Sequence, residues 1–327
     1  MELHILNIGK HMLRVKLIST PLKDGNSTRG VGEYTRRLVS MIEYQDKDPE
    51  VVHYPFFDLF RHTLPIFRKC KTVVTIHDVI PLEYPEIYKP GIKGWINLQL
   101  QKLALSGVEQ VITDSYASVK AIHKHLRVPH HKIKLIYLAA GDEFKPKKVT
   151  RKYGLPKKFV LFIGDVNWNK NIPGLIAACK INSLPLVIIG RQAKEIETFD
   201  LNHPELKHLK DLDLSNVIRL GYVSDEEKVD ILNLASVYCQ PSFAEGFGIP
   251  VLEAMACGIQ VAVSKTHSLP EISGNTATYF DPYNIEAMAE AILIAMNSKY
   301  DVISQSKKFS WSKTLKEIQM VYNKLCQ

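Results

Sequence analysis

Two kinds of segment alternate along the chain. Short apolar stretches end on glycine or a polar residue, and between them lie runs with the three-to-four-residue spacing of amphipathic helices. Residues 159–163, 184–189 and 217–220 are followed by Gly164, Gly190 and Gly221, and read as parallel strands buried on both faces. Residues 237–240, 261–263 and 277–280 complete that half, with helices from near Pro173 and over 226–235. The first half has strands at 13–20, 51–54, 72–76, 111–113 and 133–137. Its helices fall at 33–42, 96–105 and 115–126, the last opened by a serine cap at Ser115. A polar, basic, proline-bearing stretch, 141–158, links the halves, and 309–325 reads as a final helix. Such alternation implies an α/β fold with a doubly wound parallel sheet in each half. The expected division is residues 1–150, 151–308 and a tail helix, 309–327. Because a good first strand begins only at Leu13, residues 1–12 are expected to be an extension outside the fold.

Ligands of such sheets bind beyond the C-terminal ends of the strands, so the polar residues there carry the chemistry. The richest segment is 241–258, PSFAEGFGIPVLEAMACG. Pro250 suits a first helical position and Gly258 a C-terminal stop, which predicts a helix over 250–257 with Glu253 in its first turn and Glu245 in the loop before it. Gly246 and Gly248 allow close approach of backbone to a ligand, and a helix N-terminus holds phosphate. A carboxylate on each side of such a turn can bind hydroxyls flanking a diphosphate. Taken singly, either glutamate reads as structural before functional, since an acid at the start of a capped amphipathic helix is common. His77 ends the strand 72–76, and Lys170 lies six residues after Gly164 in a loop that opens into a helix. Asp78 reads as a cap for the following loop, Ser115 as a cap or an acceptor contact, and Glu271 as structural. Gly30 and Gly32 lie where the first strand's loop meets its helix, which suits a turn or a phosphate cradle alike.

The 241–258 string resembles the E-x7-E signature of retaining glycosyltransferases with the GT-B fold, family 4, and 160–178 is similar to that family's strand–loop–lysine element. The resemblance implies two Rossmann-like domains facing a cleft, with the N-terminal domain shortened, since about ten residues separate the first helix from the strand at Val51. It also implies a tail helix that returns to the N-terminal domain. By that likeness Glu245 faces the donor sugar, Glu253 binds ribose, Lys170 meets the diphosphate, and His77 lies near the transferred sugar. The implied catalytic set is Glu245, His77 and Lys170. The implied donor site takes in Gly30, Gly32, Gly164, Lys170, Glu245, Gly246, Phe247, Gly248, Ile249, Leu252 and Glu253. The family's arginine in the lysine loop is missing, Asp165, Asn167 and Asn169 standing there instead, and Arg191 after the strand 184–189 is the candidate replacement. The implied reaction is metal-independent transfer of a hexose, with mannose from GDP-mannose preferred, to a glycan or lipid-linked acceptor of cell-surface polysaccharide. The alternatives are a catalytically weak nucleotide-sugar-binding protein and a GT-B epimerase.

Composition narrows the setting. Five scattered cysteines form no CxxC pair, which excludes a disulfide framework and a zinc site and suits a cytoplasmic protein. Asp211-Leu212-Asp213 is formally a metal-binding DxD but lies in a polar, lysine-rich turn, so no metal is expected. The net charge of +8 falls wholly in residues 1–150, with 23 Lys+Arg against 15 Asp+Glu, while 151–327 carries 19 of each. With no aromatic RNA-binding signature or zinc finger, that excess points to an anionic membrane face or plain solvation and away from nucleic acid. A glycoside hydrolase would not need the lysine, and a dinucleotide oxidoreductase would need a full glycine fingerprint, since Thr35 takes the place of the third glycine after Gly30 and Gly32.

Overall fold

The computed structural model describes residues 14–23, 30–41, 48–150 and 153–327; the proposed extension at 1–12 lies outside them. The first half comprises β1 (Val15–Leu17), α1 (Gly30–Met41), β2 (Val51–Tyr54), β3 (Lys71–Thr75), α2 (Ile80–Glu83), α3 (Gly91–Ser106), β4 (Gln110–Thr113), α4 (Tyr116–Leu126) and β5 (Ile133–Leu135). The second half runs β6 (Val160–Ile163), α5 (Ile172–Ile181), β7 (Leu186–Ile189), α6 (Arg191–Lys194), β8 (Val217–Gly221), α7 (Asp225–Leu234) and β9 (Val237–Gln240). It continues with α8 (Ile249–Ala256), β10 (Val261–Ser264), α9 (Leu269–Ser273), β11 (Thr278–Phe280), α10 (Ile285–Asn297) and α11 (Val302–Ser306), before α12 (Trp311–Cys326).

All strand pairs are parallel. The second sheet is a buried middle layer, which is why its strands read as unbroken apolar runs. Leu161 and Ile163 of β6 enter one core with α8 and α11, while Val160 and Phe162 enter another with α5 and α10. Its strand order, β11-β10-β9-β6-β7-β8, reverses between β6 and β9. That reversal is the topological switch point at which α/β sheets open a ligand crevice.

The first sheet corrects one detail of the expected fold. Its order is sequential, β1 to β5, so only the second sheet is wound in two directions. Tyr34 and Leu38 of α1 share a core with Val15, Val51, Val73 and the helix α12. Leu98 of α3 and Ile122 of α4 pack on the other face, with Val74 and Val111. The crossovers through α1, α3 and α4 all step the same way across the sheet, yet α1 lies on the opposite face. Strand β1 is thereby an edge, three residues long, a length that limits pairing with other chains.

Helix α12 lies on the first half although it follows the second. His53 Nδ1 is 2.6 Å from Tyr322 Oη, Thr314 Oγ1 donates to the Tyr137 carbonyl, and Trp311 packs beside Tyr34.

Candidate active site

Lys170 and Glu245 meet at the switch point. Strands β6 and β9 are hydrogen-bonded neighbours, and Lys170 follows the first while Glu245 follows the second. The Lys170 ammonium lies 2.8 and 2.7 Å from the two Glu245 carboxylate oxygens. Glu245 is 7% exposed, and its Oε1 also accepts from Gln240 Nε2 at 2.7 Å and Ser242 Oγ at 2.6 Å. Tyr238 Oη donates in turn to Gln240. A buried carboxylate with this many donors is fixed in place.

The loop that carries Lys170 is built by the residues found where a second cation was expected. Asn169 is buried, accepts from Tyr88 Oη at 3.0 Å, and donates to the Ala244 carbonyl at 3.0 Å. Asn171 adopts a left-handed conformation (φ 50°) and donates to the carbonyls of Pro241 and Pro282. Trp168 stacks on Phe243, which stacks on Tyr283, while Tyr84 of the first half packs against Trp168. Arg191 does sit just past β7, but its side chain is 70% exposed and turns to Glu195 of its own helix at 3.6 Å. The structure does not bring it to Lys170's side.

Helix α8 begins at Ile249, one residue earlier than the sequence suggests, with Gly248 at φ 111° as its cap. Glu253 is therefore past the first turn, so stabilisation of the helix dipole does not explain it. It is buried and faces Lys228 of α7, whose ammonium lies 2.9 Å from Oε1 and 4.7 Å from the Phe144 ring centre. Burial pushes the Glu253 pKa up, against the pull of Lys228, and the net direction is upward. Phe247, Leu252 and Ile249 pack into or against the core around this turn. Gly164 (φ 156°) ends β6, where its carbonyl oxygen would lie 2.1 Å from a Cβ at Gly190.

Across the cleft, His77 follows β3, and its Nδ1 is 2.5 Å from Asp114 Oδ2 at the end of β4. Its Nε2 is 3.3 Å from the Pro55 carbonyl. Both partners are acceptors, so both nitrogens must donate, and only the imidazolium satisfies the pair. Burial pulls its pKa down, but the charge and hydrogen bond of Asp114 outweigh this and the net direction is up. Asp78 Oδ1 caps α2 by accepting from Ile80 N, as the sequence suggested. Burial raises its pKa, with Lys170 and His77 as the opposing positive neighbours. The halves touch here closely: a Cβ on Gly246 would sit 2.9 Å from the His77 carbonyl oxygen and 3.0 Å from Asp78 Cβ. Ser118 Oγ bridges the His77 and Gly246 carbonyls.

Gly30 and Gly32 lie in the first turn of α1, which starts at Gly30 and not at Glu33, so they form no loop before the helix. A Cβ at Gly30 would meet none of the described residues within 4 Å. Ser115 caps α4 by accepting from Ser118 N, and Glu271 accepts from Tyr116 N and from Tyr137 Oη at 2.6 Å, tying the two halves together. A cavity of about 500 Å³ opens beside this tie, among Tyr137, Glu271, Phe309 and Lys313, and its lining includes none of Lys170, Glu245 or Glu253. Asp213 of the DxD pairs with Lys180 at 2.8 Å and caps Ser215 N, the arrangement of a structural turn. No group of three or more metal-ligating residues occurs among the described residues.

Asp114 and Lys228 were not legible as site residues. Asp114 obeys the same strand-end rule as His77, but the neighbouring Ser115 cap accounts for a polar residue there. Lys228 stands in a charged helix whose local pattern gives no sign that it turns inward to Glu253.

A reversed parallel sheet with a lysine–glutamate pair at its switch point, facing a histidine–aspartate pair on a second parallel sheet, is the architecture of a GT-B glycosyltransferase. The chain belongs to the glycosyl transferases group 1: that family matches residues 145–310, and glycosyltransferase family 4 matches 9–140. It is 28% identical over 267 residues to the Escherichia coli serotype-specific mannosyltransferase WbdA, covering 75% of this chain and 32% of that protein. It thus spans about a third of that relative's length. It is also 28% identical over 298 residues to the E. coli O-antigen chain mannosyltransferase B, covering 84% of this chain and 74% of the relative. Among solved structures, Anabaena HepE in complex with UDP and glucose superposes with a TM-score of 0.61 at 18% identity, over 84% of this chain and 78% of that one. That likeness is one of fold.

Proposed function

We propose that the chain transfers a hexose from a nucleoside-diphosphate sugar to a hydroxyl of a glycan or lipid-linked acceptor, with retention at the anomeric carbon. Mannose from GDP-mannose is the preferred donor and a surface polysaccharide such as O-antigen the setting. The observation that carries this reading is the Lys170–Glu245 pair at the switch point of the second sheet. The relatives' names favour mannose, and the UDP and glucose of HepE keep UDP-sugars as the next choice.

In this reading Lys170 and the N-termini of α5 and α8 stabilise the charge that builds on the departing diphosphate. Glu245 positions the sugar and Glu253 the ribose. The bond from the anomeric carbon to the phosphate oxygen breaks, the acceptor oxygen bonds on the same face, and its proton passes to the leaving phosphate. His77, held as an imidazolium by Asp114 and the Pro55 carbonyl, places a positive charge near the sugar and does not serve as the base. No metal is assigned a role. Closure of the halves over Gly246 excludes water. The acceptor is presented at an anionic membrane face served by the basic first half, with the protein peripheral to the inner surface.

A screen of GDP-mannose, UDP-glucose and UDP-N-acetylglucosamine, following release of the nucleoside diphosphate, tests the proposal. Release with at least one donor, unchanged by EDTA, is expected. Binding without release from any donor would favour a nucleotide-sugar-binding protein, a reading to which the single lysine of the 165–170 loop lends weight.

A further inference from the structure

Helix α3 is apolar on both sides. Leu98, Ala104 and Leu105 fill the core of the first half, yet Ile92 is 81% exposed, Trp95 58%, Leu103 55% and Ile96 47%. At helical spacing Ile92, Ile96 and Leu103 form the centre line of the outer face, with the exposed Gln99 among them. Trp95 and Lys102 run along one margin, and Leu100 and Lys93 along the other. Phe67, 93% exposed, extends the patch past the C-terminal end of the helix, where neighbouring Arg68 donates to the Ala104 carbonyl. Monomeric proteins rarely leave such a contiguous stripe in water.

The charge around the stripe is of one sign. Residues 87–108 contain Lys89, Lys93 and Lys102 and no aspartate or glutamate. The adjoining helix α4 adds Lys120 and Lys124, again with no acid. Lys102 and Lys124 lie near enough to His125 to depress its pKa, after burial. The acids flanking the helix are engaged or lie beyond its ends: Glu83 is turned to His267, Asp58 accepts from Phe60 N, Glu109 accepts from Thr72 N, and Glu86 is exposed before the helix.

We propose that the outer face of α3 is a docking surface for an anionic phospholipid bilayer. Its apolar centre would enter the acyl boundary, Trp95 would sit at headgroup depth, and Lys93 and Lys102 would extend to phosphates from either margin. A second copy of this chain suits the face poorly, because pairing would oppose lysine to lysine. No helix among the described residues is long and apolar enough to cross a membrane, so the contact is one of lying on the surface. The site follows closely along the chain: Tyr88, three residues before α3, donates to Asn169 in the Lys170 loop. This inference deepens the membrane side of the proposed function and is independent of the donor chemistry.

The test is vesicle flotation of the full chain at low salt. One set of vesicles is phosphatidylcholine alone, and the other an equal mixture with phosphatidylglycerol. The wild-type chain is expected to float with the mixed vesicles only. The double substitution Ile92→Glu/Trp95→Glu should abolish flotation, and Lys93→Gln/Lys102→Gln should weaken it roughly tenfold or more, at about a factor of five per lysine. Thermal unfolding and nucleotide binding should be unchanged in both, since these side chains touch neither the core nor the cleft. Absence of flotation by the wild-type chain would overturn the membrane reading as a whole. Flotation that survives Ile92→Glu/Trp95→Glu would overturn the assignment to α3. A concentration-dependent dimer that this variant disperses, with no vesicle binding, would assign the face to a second copy instead.

Discussion

The ion pair between Lys170 and Glu245 satisfies each partner with the other; under the proposed function a diphosphate draws Lys170 away while Gln240 and Ser242 continue to hold the carboxylate. The histidine pair across the cleft makes a prediction of its own. Asp114 Oδ1 is buried with no hydrogen-bond partner, so the carboxylate is committed to His77 through Oδ2. A histidine whose folded pKa is raised contributes stability that is complete below its unfolded value, about pH 6.5, and lost as pH rises through the folded value. Asp114→Asn removes the charge. We expect the His77 imidazole resonances to titrate above about 6.5 in the wild-type chain and at or below it in the variant, with that pH dependence of stability gone as well. His53 runs the other way: burial first, then the charge of His77, pushes it down to about 3, and it stays neutral between Tyr322 and Thr75. Of these residues Glu245, Glu253, Lys170 and His77 were legible in the sequence, because each stands at a strand end or helix start where chemistry collects. Asp114 and Lys228 were not, because their partners are 37 and 25 residues away and pairing at that range leaves no local mark.

Elements explain where those residues stand. Strands β6 and β9 are adjacent although α5, β7, α6, β8 and α7 lie between them in the chain, and that adjacency turns two distant loops into one site. Periodicity located most strands and helices to within a few residues, since each alternates between two cores or presents one face to them. It could not give the order of the first sheet. The local pattern of α1 is the same whichever face it covers, and tertiary packing such as that of Tyr34 against Thr75 reveals the face. Glycine placement is also a property of elements meeting. Gly246 is where the turn before α8 lies against the end of β3, and Gly246→Ala would put a Cβ 2.9 Å from the His77 carbonyl oxygen. Overpacking of this kind costs about 1–3 kcal/mol, and here it is relieved by parting the halves. The expected result is a small increase in radius of gyration by X-ray scattering and turnover reduced about tenfold or more, since ~1.4 kcal/mol corresponds to tenfold, with the unfolding temperature nearly unchanged. A compact variant of full activity would show that closure over Gly246 is not used.

At the scale of the whole molecule, two sheets are held face to face by ties outside the donor loops. Glu271 joins α9 to the start of α4 and to Tyr137, Arg37 reaches Glu143 at 2.8 Å, and α12 returns to the first half. The Lys170 loop is itself tied to the first half, through Tyr88 to Asn169 and through Tyr84 against Trp168. The sequence anticipated two parallel α/β sheets and a tail helix; it could not show how tightly Tyr84, Tyr88 and His77 approach the second half, which depends on contacts between residues more than eighty apart. Every role assigned to the cleft rests on one claim, that Lys170 and Glu245 form a grip for a nucleoside diphosphate. Calorimetric titration of GDP and UDP into the wild-type chain and into Lys170→Gln tests it most directly. Saturable binding of at least one of them is expected, weakened tenfold or more on loss of the lysine's charge, as for a charge-assisted contact of about 1.5–3 kcal/mol. Binding of neither nucleotide, or equal affinity in the two proteins, would contradict it.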